Sequence, residues 1–215
     1  MTTSASHDPA SRAQDLFGVI RERSSVRSFR PDPISGELVR QAIEAAGWAP
    51  SPHGTQPWRF AVIGSPAMRE NLASAMAEDW RRQLRLDGTP DEVVEHRLAR
   101  SRERLETAPI VVVLCLYLGD AHAYPDAARQ DAEVTMAVQS LGAAAQNFLL
   151  ALHALGLDAG WMCAPLFNPE TVRESLGLDS TLIPHAMFPV GIMDHPPKRR
   201  PRRPVDELIA LWDEA

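Results

Sequence analysis

The alternation of apolar and polar residues predicts a single α+β domain in which helices pack against a sheet. Three observations carry that reading. Ile110 to Tyr117 (IVVVLCLY) is a continuous, Val-rich apolar run, the pattern of a central strand covered on both faces. Val134 to Leu157 has no charged residue over 24 positions and reads as a long buried helix. Segments of helical and strand periodicity alternate around these two along 215 residues, a length that suits one domain able to enclose a cofactor.

Residues 1–14 are small and polar, without the apolar core of a signal peptide, and read as a flexible start to a domain over 15–212. Ile34, Leu38, Val39, Ala42, Ile43 and Ala46 recur at helical spacing over 34–48, with Ser35 as the cap. Pro50, Pro52, Gly54 and Pro57 then force a loop, and Arg59 to Ile63 follows as a short strand. Residues 66–85 and 90–106 read as two helices whose mixed charges predict solvated faces. Beyond the central strand come the long helix, from about 126 to about 155, and a short AGWMCAP segment. A helix led by Asn168 and Pro169 and a strand near Met187 to Ile192 precede a basic tail, Lys198 to Arg203. The uncharged helix has more apolar surface than one subunit of this size covers, which predicts a dimer. Gln139, Ser140, Gln146, Asn147 and His153 interrupt that helix and no basic cluster flanks it, so a membrane span is not expected.

A net charge of −6 argues against a nucleic-acid binder, which needs a broad basic face. Cys115 and Cys163 stand far apart in apolar runs and give neither a disulfide framework nor a metal spacing, so a reducing cytoplasm is the expected location. No GxGxxG, GxxxxGK[ST], GxSxG or HExxH pattern occurs, and no metal is expected.

Four segments hold candidate chemistry. Arg23-Ser24-Ser25-Val26-Arg27 sets two arginines four apart with hydroxyls between them; this is either the surface end of a helix or a grip on one dianion. Ala49 to Trp58 (APSPHGTQPW) is either a tight connection that buries Trp58 or a rigid loop offering amides, a hydroxyl and an amide side chain to a planar ligand; His53 alone reads as a surface histidine. Gly160 to Pro165 is either a core strand end with Cys163 as an inert buried thiol, or a turn whose backbone faces a ring atom. The arginines of 198–203 are either a solvated tail or a closure over a phosphate.

Taken in order, RSSVRSF, APSPHGTQPWRF, AAAQNFLLALHALGL, GWMCAPLF and PRRPVDELI resemble the FMN-dependent nitroreductase superfamily over nearly the whole chain. The resemblance implies a dimeric three-layer α/β/α sandwich, with a mixed sheet around a long central helix. It implies bound FMN and ping-pong hydride transfer from NAD(P)H or another donor to a small-molecule acceptor, with the flavin doing the chemistry and no catalytic side chain. By this resemblance Arg23, Ser24, Ser25 and Arg27 bind the phosphate, together with Arg202 and, next to it, Arg200. Pro50, Ser51, Gln56 and Trp58 line the ring, and the backbone of Met162, Cys163 and Ala164 faces its hydride-accepting nitrogen. Gly54 departs from the Asn of many members. APSPHGTQPWRF and DAHAYPDAARQDAE are similar to the flavin domain of the bifunctional F-420 biosynthesis proteins, which implies reduction of the dehydro form of that deazaflavin, with His53 and Tyr124 against the acceptor. A general nitro or quinone reductase and a non-catalytic flavin carrier or sensor are the alternatives.

Overall fold

A computed structural model describes residues 8–213. In chain order the elements are α1 (Pro9–Glu22), α2 (Gly36–Gly47), β1 (Trp58–Ile63), α3 (Pro66–Leu86), α4 (Asp91–Thr107), β2 (Ile110–Tyr117), α5 (Ala127–Ala154), β3 (Asp158–Ala159), α6 (Pro169–Leu176) and β4 (Leu182–Gly191). Short 3-10 turns occupy Pro52–Gly54, Ala164–Phe167 and Val205–Glu207.

The sheet has the order β1-β2-β4-β3. Alternation along β2 divides the core between its two faces. Val112, Leu114 and Leu116 point into a cluster with Val39 and Ala42 of α2 and Leu141, Phe148 and Leu152 of α5. Val111, Val113 and Cys115 point into a second cluster with Leu72 and Met76 of α3, Leu105 of α4 and Val172 of α6. Helices on both faces make the three-layer sandwich, and they explain why β2 has no polar position. The named strands pair antiparallel throughout, so the mixed sheet expected from sequence survives only as one parallel bridge, between Ser25 and Ala159.

Capping sets several boundaries. The Ser35 hydroxyl accepts from Glu37 N–H at the start of α2, and the Asp126 carboxylate accepts from Arg129 N–H at the start of α5. Gly177 ends α6 in the left-handed region, at φ 61°. Residues 9–14, assigned to a flexible start on sequence, belong to α1; residues 1–7 lie outside the described residues. That helix has no buried residue, which is why its periodicity went unread. β4 begins at Leu182, five residues before the expected strand, because Pro184 and a bulge mask its pattern. The register passes from Leu114–Ala186 to Cys115–Pro184 and leaves His185 unpaired in the ladder. Among the described residues no helix is long and apolar enough to cross a membrane.

His185 is half-buried at this bulge, and burial lowers its pKa from the ordinary 6.5. Below pH 6.5 the unfolded chain binds a proton there that the folded protein resists, so its contribution to stability is complete above that pH and is lost as the pH falls. We expect the fall in Tm between pH 7.5 and 5 to be smaller in His185→Gln than in the wild type. Parallel pH profiles by thermal denaturation would show that His185 has no part in it.

Candidate functional site

At the C-terminus of α1 the chain turns into an extended strip. Ser25 forms its parallel bridge with Ala159, and Val26 N–H donates to Ala159 C=O at 3.0 Å. The strip lies close because residue 160 is glycine. A Cβ there would sit 2.5 Å from the Val26 carbonyl oxygen, a backbone atom with no room to give.

Arg23 is the first residue of the strip. Its Nε is buried and has no hydrogen-bond partner. Burial lowers its pKa, and so do the nearby charges of Arg202 and Arg199. Three arginines thus converge with no carboxylate among the influences on Arg23, an arrangement that suits an anion. Arg199 has a second task. Its guanidinium donates to the carbonyl oxygens of Arg21 (2.8 Å) and Glu22, which fastens the basic tail to the end of α1. Arg200 is not among the charges acting on Arg23. Arg27 faces elsewhere: its charge acts on Arg104 of α4, a half-buried group whose pKa is lowered by burial, then by Arg27 and Arg100. The two arginines expected to share one dianion therefore have different cationic neighbours.

The strip leads toward a cavity of about 790 Å³ between the α3–α4 hairpin and residues 162–168. Met76, Trp80, Leu105 and Phe167 give it an apolar lining, and Met162, Cys163 and Ala164 close one end. The backbone expected to face a ring atom is narrower than the sequence suggests. Met162 exchanges both of its hydrogen bonds with Met187, at 3.0 and 2.8 Å, so its N–H is committed to the sheet. Among the described residues, Cys163 N–H and Ala164 N–H remain without a partner, at the start of a 3-10 turn. Cys163 is exposed, not a buried thiol, and its Sγ accepts from Trp161 Nε1 at 3.1 Å.

The Pro-rich loop stands apart from all this. Ser51 Oγ accepts from Gln56 N–H at 3.1 Å, Ser51 C=O from Gly54 N–H, and Pro52 C=O from Thr55 N–H and Oγ1. These bonds hold His53 (φ 56°), Gly54 (φ 69°) and Gln56 (φ 45°) in left-handed conformations. His53, turned outward, stacks on His122 with ring centroids 4.4 Å apart, and His122 lies 6.4 Å from the Tyr124 ring. The Pro50, Ser51 and Gln56 group and the His53 and Tyr124 group are thereby joined, with His122 as a member that sequence reasoning missed. Trp58 is 6% exposed within the α2–α5 core cluster, so it lines no open surface.

The two groups lie at diagonal corners of the sheet. Ser25 is in register with Ala159, Val190 and Ile110, whereas Pro57 C=O accepts from Tyr117 N–H at the far end of β2. The length of β2 and four strand spacings separate them, on the order of 30 Å. No single FMN-sized molecule reaches both within one chain.

Comparison with known proteins agrees with this architecture. The nitroreductase family matches residues 20–192. The "NADH dehydrogenase" of Thermus thermophilus is 29% identical, over 89% of this chain and 92% of that one. A BluB-like flavoprotein of Clostridium difficile has the same fold, with TM-score 0.74 and 24% identity over 92% of this chain and 99% of that one. A nitroreductase-type protein of Desulfovibrio desulfuricans, solved in complex with FMN, superposes with TM-score 0.72 at 25% identity, over 98% of this chain and all of that one.

Three arginines that converge without a carboxylate repel one another, and the cost to stability is measurable. Arg23→Met keeps the apolar stem and removes the unpartnered charge, so it should raise the Tm of the ligand-free protein, with added phosphate reducing the difference. A lowered Tm in both conditions would make Arg23 a structural residue.

Proposed function

Because the chain belongs to the nitroreductase family, we propose that it is an FMN-dependent oxidoreductase that works as a homodimer and passes a hydride from NAD(P)H to a small-molecule acceptor. The observation that carries this reading is the Arg23 cluster. A buried guanidinium nitrogen without a partner, beside two further arginines, fits a dianionic phosphate. In this reading Arg23, Ser25 and Arg202 hold the phosphate, Arg199 holds the tail in place, and Arg27 lies between the phosphate and the cavity. The free N–H groups of Cys163 and Ala164 are the donors available to the ring. FMN, when bound, would supply the two-electron chemistry, and the chain's own residues would bind it, orient it and exclude water.

The homodimer rests on two observations. The Pro50, Ser51 and Gln56 loop is too far from the Arg23 cluster to share its ligand, so a site using both takes the loop from a second copy. A two-fold axis would supply two such sites. Large apolar groups are also left uncovered: Trp48 is 84% exposed and Leu211 85%. Among acceptors, the dehydro form of F-420 is the finer reading, supported by the two sequence segments that resemble that subgroup and by the row of rings at His53, His122 and Tyr124. A nitro or quinone reductase fits family membership equally well.

Purified protein should be yellow and should release FMN on denaturation; a colourless protein that takes up no FMN overturns the reading. Arg23→Ala should weaken FMN binding by about 1.5–3 kcal/mol, the loss of a charge-assisted contact, as read by fluorescence titration, whereas Arg27→Ala should cost less. Rates with NADH and NADPH against dehydro-F-420, menadione and a nitroarene then separate the acceptor classes, and absence of turnover with every pair leaves a flavin carrier.

Light scattering after size exclusion should give twice 23.7 kDa. Ala145 is wholly buried in its own subunit, so a charge there would test folding and not assembly. Val138, 37% exposed on α5, is the better position. Val138→Glu should yield folded monomer with reduced FMN content; a dimer of full FMN content would place the interface elsewhere.

A further inference from the structure

Most arginines of the α3–α4 hairpin have partners. Arg69 donates to the carbonyl oxygens of Gly64 (2.6 Å) and Pro109 (2.9 Å); on the outer side, away from the cavity lining, Arg81 pairs with Glu78 (2.6 Å) and Glu95 (2.9 Å), Arg82 with Asp79, and Arg85 with Asp91 (3.1 Å). Arg102 borders the cavity but is held by Glu106 at 2.5 Å. Arg97, Arg100 and Arg104 differ. They recur at i, i+3 and i+7, along one face of α4, and all three line the cavity. Among the described residues none of them makes an ion pair or a hydrogen bond.

A second observation points into the same space. Asn168 is 9% exposed, lines the cavity opposite α4, and its Oδ1 has no partner. A buried amide oxygen left unpaired is costly unless a ligand donates to it. The cavity also has direction. Its α3 wall runs from Ala73 to Asp87, about 20 Å at the helical rise, from the Met162–Ala164 end past Met76 and Trp80 to Arg97. A ring alone would not fill that length.

We propose that this outer limb binds the anionic arm of an extended redox substrate, with its planar ring at the Met162–Ala164 end and a phosphate, carboxylate or sulfonate laid along Arg104, Arg100 and Arg97. The assignment rests on the flavin reading above and names the class of substrate it takes. The flavin phosphate does not account for this row. It is matched by the Arg23, Arg199 and Arg202 cluster, and the charges acting on Arg104 are those of Arg27, Arg100 and Glu103, with none from that cluster. Asn168 Oδ1 is an acceptor and takes a donor group on the uncharged part of the same substrate, since the anionic arm offers only acceptors.

The test is calorimetric titration of the purified, flavin-loaded protein with anthraquinone-2-sulfonate and with neutral 2-(hydroxymethyl)anthraquinone. The wild type should prefer the sulfonate, and the preference should shrink as salt is raised. In the double variant Arg97→Gln, Arg100→Gln the ratio of the two affinities should fall at least tenfold, the loss of one charge-assisted contact to the single sulfonate. Arg97→Lys, Arg100→Lys should restore part of it, and Arg85→Gln, on the outer side, should leave the ratio as in the wild type. An unchanged ratio in the double variant overturns the proposal. So does a double variant that loses its flavin, since the row would then belong to the cofactor. FMN uptake by the wild type is measured first. A chain that takes up no FMN yet keeps the arginine-dependent preference removes the flavin reading and leaves the anion site standing. The source of the arm follows from a second comparison: a drop in NADPH over NADH preference in the double variant assigns it to the donor, and an unchanged nucleotide preference assigns it to the acceptor.

Discussion

Burial of β2 on both faces is the constraint from which the rest follows. Seven of its eight residues are buried, and helices cover each side. An ionisable group in that strand can only be neutral, as Cys115 shows: burial pushes its thiol up to about 11. Polar chemistry is therefore displaced to the ends of the strands and to the segments that border them. One end receives the strip 23–27 with residues 159–164, and the diagonal end receives the Pro-rich loop and the histidine pair. A sheet that is apolar through its middle leaves its polar groups at two distant corners, which the proposed dimer would bring together.

The charge distribution has the same origin. A chain with net charge −6 has acidic groups to spare, and on the outer side of α3 and α4 they neutralise the arginines. Such exposed pairs contribute little to stability, so they keep the surface soluble more than they hold the hairpin. Where Arg23 meets Arg199 and Arg202, and where Arg27 meets Arg104 and Arg100, no carboxylate offsets the repulsion among the like charges named as lowering the pKa, apart from Glu103 beside Arg104. Uncompensated charge persists in two places within a protein that elsewhere compensates it, and both border the path from the strip into the cavity.

Much of the fold was legible because periodicity reports burial. The run 110–117 is β2 to the residue, and α2, α3, α4 and α5 lie within a residue or two of their expected ends. The failures have physical causes. α1 turns no residue inward, so its apolar Leu16, Phe17 and Ile20 gave no stripe that a core requires. Pro184 and the bulge at His185 broke the alternation that would have extended β4. The resemblance assigns Arg23 and Arg202 to one phosphate and the structure sets their charges near one another, but neither spacing nor resemblance says which of the other arginines end up together. Arg27 stands four residues from Arg23 in the chain and beside Arg104 in space. The mixed charges of α4 predict a solvated face, and Arg97 and Arg100 are indeed exposed; that the row they form with Arg104 also borders a cavity depends on residues 162–168, far away in the chain.

The strained loop makes sense in the same terms. Two non-glycine residues with positive φ cost on the order of 1 kcal/mol or more each, and they persist because Ser51, Pro52 and the His53–His122 stack over-determine their conformation. A flexible loop of equal length would avoid that cost in the monomer. It would then lose its freedom on docking, when each ordered side chain subtracts from the affinity of the assembly. Holding the loop rigid beforehand shifts the ordering cost from assembly to folding, where the buried β2 core can absorb it. In the dimer proposed above, a loop that completes a site on the second copy would gain more from rigidity than from relief of its backbone strain.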